Sequence, residues 1–240
     1  MTQHISRKEL KKDEFRETLA HGAEAALSHQ RIIWMVGGGA LAVLLLVFGW
    51  RFYSDRQSVK ASAELDQAMK IFQARIRTTG EPEEPGEVSY LVERNKHEDA
   101  ARKFSEVAQS YPRTRQGQMA RYYAGLCYDR LEKSEDAQRE FRVVESGGDA
   151  ELTALARLAL AQSLERSGKG EDAVKVYRQL IARPSTFVPK SIAMLQLAEY
   201  YDRTNPAEAT KMYNEIKKEF PESSLAERAD ERLASLRPKS

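Results

Sequence analysis

The side chains best suited to chemistry in this sequence of 240 residues are carboxylates and arginines that stand next to each other. Three such pairs recur 36 and 37 residues apart, at Asp129–Arg130, Glu165–Arg166 and Asp202–Arg203. Adjacent opposite charges can set the register of a bound partner, which predicts recognition rather than catalysis. Alternatively, each arginine simply favours the negative end of its own helix. Both interpretations remain open from the residues alone.

The other reactive side chains form no recognisable catalytic set. The four histidines are scattered, at His4, His21, His29 and His97. No cluster of His, Cys and carboxylates has the spacing of metal ligands. The sole cysteine, Cys127, fits a helix-packing pattern and is predicted to be a buried, inert thiol. The sequence therefore predicts no enzyme, no cofactor, no metal and no small-molecule substrate.

The element that dominates the N-terminal part is an uncharged stretch of 19 residues, Ile32–Trp50. As a helix it spans roughly 28 Å, close to the hydrocarbon thickness of a bilayer. Trp34 and Trp50 suit the membrane interfaces, and a core helix that is apolar on every face is uncommon. No small-x-small cleavage site directly follows. Residues 32–50 are therefore predicted to be an uncleaved transmembrane signal anchor.

The two flanks of this span differ in size. Residues 1–31 form a short tail, with a capping-box spacing at Ser6 and Glu9 that predicts one helix. Positive charges near both ends of the span do not decide the orientation. A large C-terminal domain can translocate regardless of charge, which would leave the tail in the cytoplasm. Within the span, Gly38 and Ala42 allow close approach of a second helix and a possible homo-oligomer.

Beyond the span, the chain is predicted to continue as a helix over 51–77, which contains no Gly or Pro. The acidic, Pro- and Gly-containing stretch 78–87 is then predicted to be a solvated connector. In the whole chain, 38 Lys and Arg residues nearly balance 36 Asp and Glu residues. This balance argues against a nucleic-acid partner.

After the connector, one pattern occurs four times: a small residue, an aromatic residue four positions later, and an aliphatic residue three positions after that. The alanines that open it lie 36 or 37 residues apart, and the four sets are Ala100-Phe104-Val107, Ala137-Phe141-Val144, Ala173-Tyr177-Leu180 and Ala209-Tyr213-Ile216. A second pattern precedes the last three sets, with a small residue and a bulky one three positions later: Gly125 and Tyr128, Ala161 and Leu164, Ala198 and Tyr201. One hairpin cannot bury such stripes alone, so stacked helical hairpins are predicted.

These repeats resemble tetratricopeptide repeats (TPRs), over about 57–236. The fold class is predicted to be all-α, with a single N-terminal transmembrane helix followed by a TPR-like α-solenoid over 51–240. The predicted helix pairs are 57–77 with 95–110, 115–132 with 134–146, 150–167 with 170–183, and 189–203 with 206–219. A last helix, 223–236, is predicted to cap the stack.

The whole layout resembles the YfgM-like bacterial family of ancillary Sec translocon subunits. The resemblance implies an inner-membrane anchor and a periplasmic repeat domain that meets the translocon and periplasmic chaperones. Two other functions stay open. One is an envelope or cell-division scaffold that self-associates, and the other is a docking receptor whose repeats face the cytosol.

In such repeats, the first helix of each pair lines a concave groove. The resemblance places fifteen residues there: Met119, Tyr122, Leu126, Asp129, Arg130, Leu155, Leu158, Gln162, Glu165, Arg166, Ile192, Leu195, Glu199, Asp202 and Arg203. The apolar members are predicted either to grip an apolar peptide or helix, or to belong to the core between repeats. Tyr122 and Leu126 stand where a carboxylate clamp would have Lys and Asn, which argues against that binding mode. Phe187 and Val188 are predicted to tuck under the next repeat.

Overall fold

The computed structural model describes residues 30–82 and 86–236; the predicted capping box at Ser6 lies outside them. The described chain is helical, with nine helices and one pair of very short strands. The helices are α1 (Gln30–Phe72), α2 (Glu93–Ser110), α3 (Arg115–Arg130), α4 (Ser134–Glu145), α5 (Ala150–Arg166), α6 (Gly170–Ala182), α7 (Lys190–Thr204), α8 (Pro206–Glu219) and α9 (Ser224–Leu236). Consecutive helices from α2 onward pack against each other, which confirms the predicted helical solenoid.

The chain divides into two compact units, 1–56 and 57–240. In the first unit, every described side chain from Met35 onward is exposed, including Leu45, Phe48 and Trp50. Within the described residues, one helical stretch, Met35–Phe72 of α1, is long and apolar enough to cross a membrane by length and composition. Such a continuous exposed apolar surface marks a site of contact with a membrane or a protein.

Helix α1 continues beyond the apolar stretch and ends at Phe72, so the predicted continuation to residue 77 is wrong. Instead, Arg75–Ile76 (β1) pairs in parallel with Ser89–Tyr90 (β2), and the Arg77 N–H donates to the Tyr90 carbonyl at 2.7 Å. The two ends of the connector are therefore joined by backbone hydrogen bonds.

Charged side chains stabilise this arrangement of the connector. The Arg75 guanidinium binds the carboxylate of Glu81 and lies 3.5 Å from that of Glu87. Glu81 also accepts the Thr78 N–H at 3.1 Å. The segment after α1 is thus held by ion pairs of Arg75 and by a side-chain bond to the backbone of Thr78, and not by helical hydrogen bonds.

The repeated pattern supplies the core of the second unit. Its four alanines and four aromatic residues are all fully buried: Ala100, Phe104, Ala137, Phe141, Ala173, Tyr177, Ala209 and Tyr213. The small residue of the second pattern allows close helix contact, because a Cβ at Gly125 would lie 2.6 Å from a ring carbon of Phe141. Both patterns therefore act as packing signals.

In the loop between α6 and α7, Phe187 and Val188 were both predicted to tuck under the next repeat, and only one of them is buried. Val188 is fully buried, whereas Phe187 is 57% exposed. The Glu151 carboxylate accepts the N–H groups of Thr186 at 3.2 Å and Phe187 at 2.9 Å. These bonds fix a turn that directs Phe187 outward, so its predicted burial is wrong.

Candidate protein-binding site

The candidate groove is carried by α3, α5 and α7, and their starting points are fixed by local chemistry. The Thr114 hydroxyl caps α3 by accepting the Gly117 N–H at 3.0 Å. Asp149 caps α5 by accepting the N–H groups of Glu151 and Leu152. Asp149 also accepts a hydrogen bond from Arg115 Nε at 2.7 Å, which links the starts of the two helices. The Leu152 N–H and the Arg115 guanidinium lower the pKa of Asp149.

The apolar members of the predicted groove divide between surface and core. Five are partly buried and pack against the central buried cluster: Met119, Tyr122, Leu126, Leu155 and Leu158. Ile192 is also partly buried. Leu195 is only 4% exposed and belongs to the last buried cluster, which agrees with the second of the two predictions for the apolar residues, a place in the core between repeats. The row that a partner can reach therefore lies mainly on α3 and α5.

The charged members form a ladder between successive repeats. Arg166 binds the Asp129 carboxylate, and Arg203 binds that of Glu165 at 2.5 Å. The side chains of Asp129 and Glu165 are only 14% and 13% exposed. These carboxylates thus hold neighbouring repeats together, a role that neither sequence-based interpretation included.

Tyrosine hydroxyls reinforce the ladder from inside. Tyr177 donates to Glu165 at 2.5 Å, and Tyr213 donates to Asp202 at 2.8 Å. Burial, together with the adjacent carboxylate, raises the pKa of both phenols, so they stay protonated donors. The signal in the sequence was the presence of Tyr, rather than Phe, in the third and fourth repeats.

The sequence reasoning missed three further ladder residues, Gln196, Arg228 and Arg232. The predicted groove residue Gln162 donates to Gln196 at 2.9 Å, and Gln196 donates to the predicted Glu199 at 3.2 Å. Arg228 of α9 then binds Glu199. A second arginine of α9, Arg232, lies 4.0 Å from Asp202. The ladder therefore continues into the last helix, which no repeat pattern in α9 had indicated.

Comparison with protein families agrees with this architecture. A family model described as a tetratricopeptide repeat-like domain matches residues 32–187, which is more than half of the chain. The chain belongs to the tetratricopeptide repeat-like domain family. A second model, described as a tetratricopeptide repeat, matches residues 192–223 of this TPR-like protein. No curated protein matches it. TPR proteins are typically interaction scaffolds rather than enzymes, so the surface of the TPR-like domain is best understood as a surface for proteins.

Arg130 is the exception in the ladder of the TPR-like domain. It is exposed at the end of α3 and forms no ion pair within residues 30–82 and 86–236. It lines a pocket of about 310 Å³ with residues of α2 and of the α3–α4 turn. Among the three arginines of the repeated pairs, it alone has a guanidinium left for an external group, as judged on the described residues.

The reactive residues of the TPR-like domain are poorly placed for catalysis. Cys127 is fully buried, and burial raises the pKa of its thiol to about 12, so the reactive thiolate is scarce at neutral pH. No group of three or more His, Cys, Asp or Glu residues in the described part of the chain is arranged to hold a metal ion.

The candidate helix-pairing residues lie in the apolar stretch. Gly38 and Ala42 are both exposed on α1, and a Cβ at Gly38 would meet nothing within 4 Å. This face of the helix is open to a second helix, and pairing through it stays a prediction.

Proposed function

We propose that this protein is a membrane-anchored scaffold whose TPR-like domain binds other proteins. The observation that carries the proposal is a contrast within one chain. From Met35 to Phe52 the helix exposes apolar side chains, whereas the apolar residues of the repeats pack into buried clusters. A bilayer would cover the exposed apolar side chains of this helix, whereas the apolar side chains of the repeats are already covered by each other.

The layout of the sequence supports a more specific setting. Its resemblance to YfgM-like proteins favours a bacterial inner membrane, with residues 1–31 in the cytoplasm and the repeats in the periplasm. The partners in that setting are Sec translocon subunits and periplasmic chaperones, and the role is in the export or quality control of proteins.

The surface proposed to bind them is the partly buried apolar row on α3 and α5. The row consists of Met119, Tyr122 and Leu126 on α3 and of Leu155 and Leu158 on α5. A partner helix or extended peptide can cover such a row without disturbing the core. The ladder carboxylates Asp129 and Glu165 do not set its register, since arginines of this chain already bind them.

The topology is tested with reporters fused after Ser240. We expect alkaline phosphatase to be active there, because this enzyme needs the oxidising periplasm for its disulfides. A cytoplasmic fluorescent reporter at the same place should be dark. The opposite pair of results would instead identify a docking receptor with cytosolic repeats.

The binding surface is tested by a photoreactive amino acid placed at Tyr122 in living cells. The matched control is the same amino acid at the exposed Lys211 of α8. We expect translocon or chaperone subunits to be trapped from position 122 and not from position 211. Capture of cell-division proteins would favour the envelope scaffold, and equal capture from both positions would contradict the assignment of the groove.

A further inference from the structure

Arg130 differs from the arginines of the other two repeated pairs, because it binds no carboxylate among the described residues. Arg166 and Arg203 each bind a carboxylate at the end of the preceding first helix. For Arg130, the preceding first helix is α1, whose last turn is Met69-Lys70-Ile71-Phe72 and contains no acidic residue. The last turn of α1 therefore supplies no carboxylate at the place where the repeat pattern would put one.

The end of α1 is occupied by an aromatic ring instead. The Phe72 ring lies 5.5 Å from that of Tyr123 and 6.1 Å from that of His97, measured between ring centroids. An aromatic ring thus stands where the repeat pattern would place a carboxylate, and Arg130 itself is exposed.

The pocket at Arg130 is bounded by six residues: Glu93, Arg94, His97, Arg130, Leu131 and Glu132. Two of their charges are engaged within the chain, because Arg94 binds Glu98 at 3.0 Å and Glu93 lies 3.3 Å from His97 Nε2. Arg130 and Glu132 have no such partners among the described residues. The pocket volume of about 310 Å³ lies at the lower end of the range of ligand pockets.

Two features of this pocket, an unpaired buried atom and an unfavourable backbone angle, indicate a binding site. His97 is only 7% exposed, and its Nδ1 has no hydrogen-bond partner among the described residues. Glu132 adopts a φ of 61°, in the left-handed region that disfavours side chains, whereas the corresponding residue of the next repeat is Gly168, with a φ of 76°. Buried unpaired polar atoms and strained residues concentrate at binding sites.

We propose that this pocket docks a charged segment of a protein partner, with Arg130 binding an Asp or Glu side chain and Glu132 binding a Lys or Arg side chain. The carboxylate completes the ladder, because carboxylate side chains occupy the corresponding place beside Arg166 and Arg203. The cation follows from the unpaired carboxylate of Glu132 at the same opening. The inference rests on the proposed scaffold function and adds the chemistry of the partner.

The test uses the full chain purified in detergent and fluorescence anisotropy of short labelled peptides. The probe is an alanine–leucine peptide, acetylated and amidated, with one Glu and one Lys a helical turn apart. One comparison peptide replaces Glu by Gln, and another replaces Lys by Gln. A third has neither charge but a free terminal carboxylate.

We expect the Glu–Lys peptide to bind, and Arg130→Gln to raise its Kd by about tenfold or more, as for the loss of a charge-assisted hydrogen bond. Replacing the peptide Glu should have the same effect in the wild type and no additional effect in Arg130→Gln. The matched control is Arg178→Gln, which removes another exposed arginine outside the pocket and should leave Kd unchanged.

Glu132 offers a variant that separates binding from folding. Glu132→Gly should raise the melting temperature, because it relieves the left-handed strain, and yet weaken binding of the Glu–Lys peptide. Glu132→Gln keeps the backbone strain and should weaken the binding of only those peptides that contain Lys.

Several results would overturn the inference. These are equal binding to Arg130→Gln and Arg178→Gln, no binding of the Glu–Lys peptide to the wild type, or preference for the peptide with the free terminal carboxylate. If crosslinking from Tyr122 still trapped the expected partners in Arg130→Gln cells, the scaffold function would stand without this pocket. If position 122 trapped no partner in the wild type, the proposed scaffold function itself would be refuted.

Discussion

The hydroxyl group of Tyr177 distinguishes a packing role from a polar role at the core aromatic position. The first two repeats have Phe104 and Phe141 there, so Tyr177→Phe fits sterically and removes only the hydrogen bond to Glu165. Since Arg203 still binds that carboxylate, we expect the free energy of unfolding to fall by about 1–2 kcal/mol. Urea unfolding followed by circular dichroism measures this. Tyr201→Phe, at a partly buried site, should change it by less than about 0.5 kcal/mol.

Cys127 gives the domain a pH dependence of defined sign. The folded thiol has its pKa raised from 9.0 to about 12, so the unfolded chain loses this proton first as the pH rises. The contribution of the neutral thiol to the free energy of unfolding is complete below about pH 9 and declines between pH 9 and pH 12. From pH 8 to pH 10, we expect this contribution to fall by about 1.4 kcal/mol.

Unfolding measured at both pH values in the wild type and in Cys127→Ala isolates this effect, because the tyrosines titrate equally in both proteins. The variant should be less stable at pH 8, owing to the lost packing, and should lose about 1.4 kcal/mol less on going to pH 10. Parallel pH profiles of the two proteins would show that the thiol ionises normally in the fold.

What the sequence could predict at this scale was the type of residue rather than its partner. Small, aromatic and aliphatic positions are fixed by helical periodicity, so Ala173, Tyr177 and Leu180 were placed in the core. The bond from Tyr177 to Glu165 joins two helices, and no local period contains that information. For Leu195 the sequence left the groove and the core both open for a related reason, because a helix that is buried on most sides has no clear outward stripe.

At the scale of elements, Gly125 determines how closely α3 and α4 pack. A Cβ there would lie 2.6 Å from Phe141, so Gly125→Ala must displace the ring. Overpacking costs about 1–3 kcal/mol and the better helix propensity of Ala returns about 1 kcal/mol, so we expect a net loss of up to about 2 kcal/mol in unfolding free energy. Gly148→Ala, where a Cβ meets nothing within 4 Å, should not destabilise the protein. Equal effects of the two changes would contradict the close contact.

Element boundaries show where periodicity stops being informative. The starts and ends of α3 to α9 follow capping residues and prolines and were predicted to within a few residues. Strands β1 and β2 have two residues each, too few for any alternating pattern. Arg75 of β1 also binds Glu81 and lies near Glu87, which are distant in sequence. The helical pattern that continues past Phe72 contains no information on these contacts, so the end of α1 could not be derived from it.

At the scale of the whole molecule, the polar ladder explains why α9 completes the stack. Arg228 and Arg232 extend toward Glu199 and Asp202 of α7, while Ala226 and Ala229 are buried. The opposite face of α9 carries Glu227, Glu231 and Ser235 around an open surface. A terminal helix with an apolar inner face and a polar outer face ends a solenoid without exposing its core. The ladder thus has a closed end at α9 and an open one at Arg130.

The proposed anchor makes a prediction about where the protein is found in the cell. The apolar residues from Ile32 to Trp50 contribute about 3–6 kcal/mol to insertion, and replacing Leu45 by Arg near the middle of this stretch costs about 3–4 kcal/mol. We therefore expect alkaline carbonate to extract a substantial fraction of Leu45→Arg from membranes, whereas the wild type and Leu45→Ala stay in the pellet. Leu45 is exposed in the first unit, so the substitution leaves the repeat core intact. Full retention of Leu45→Arg would mean that contacts of the repeat domain, rather than this helix, hold the protein at the membrane.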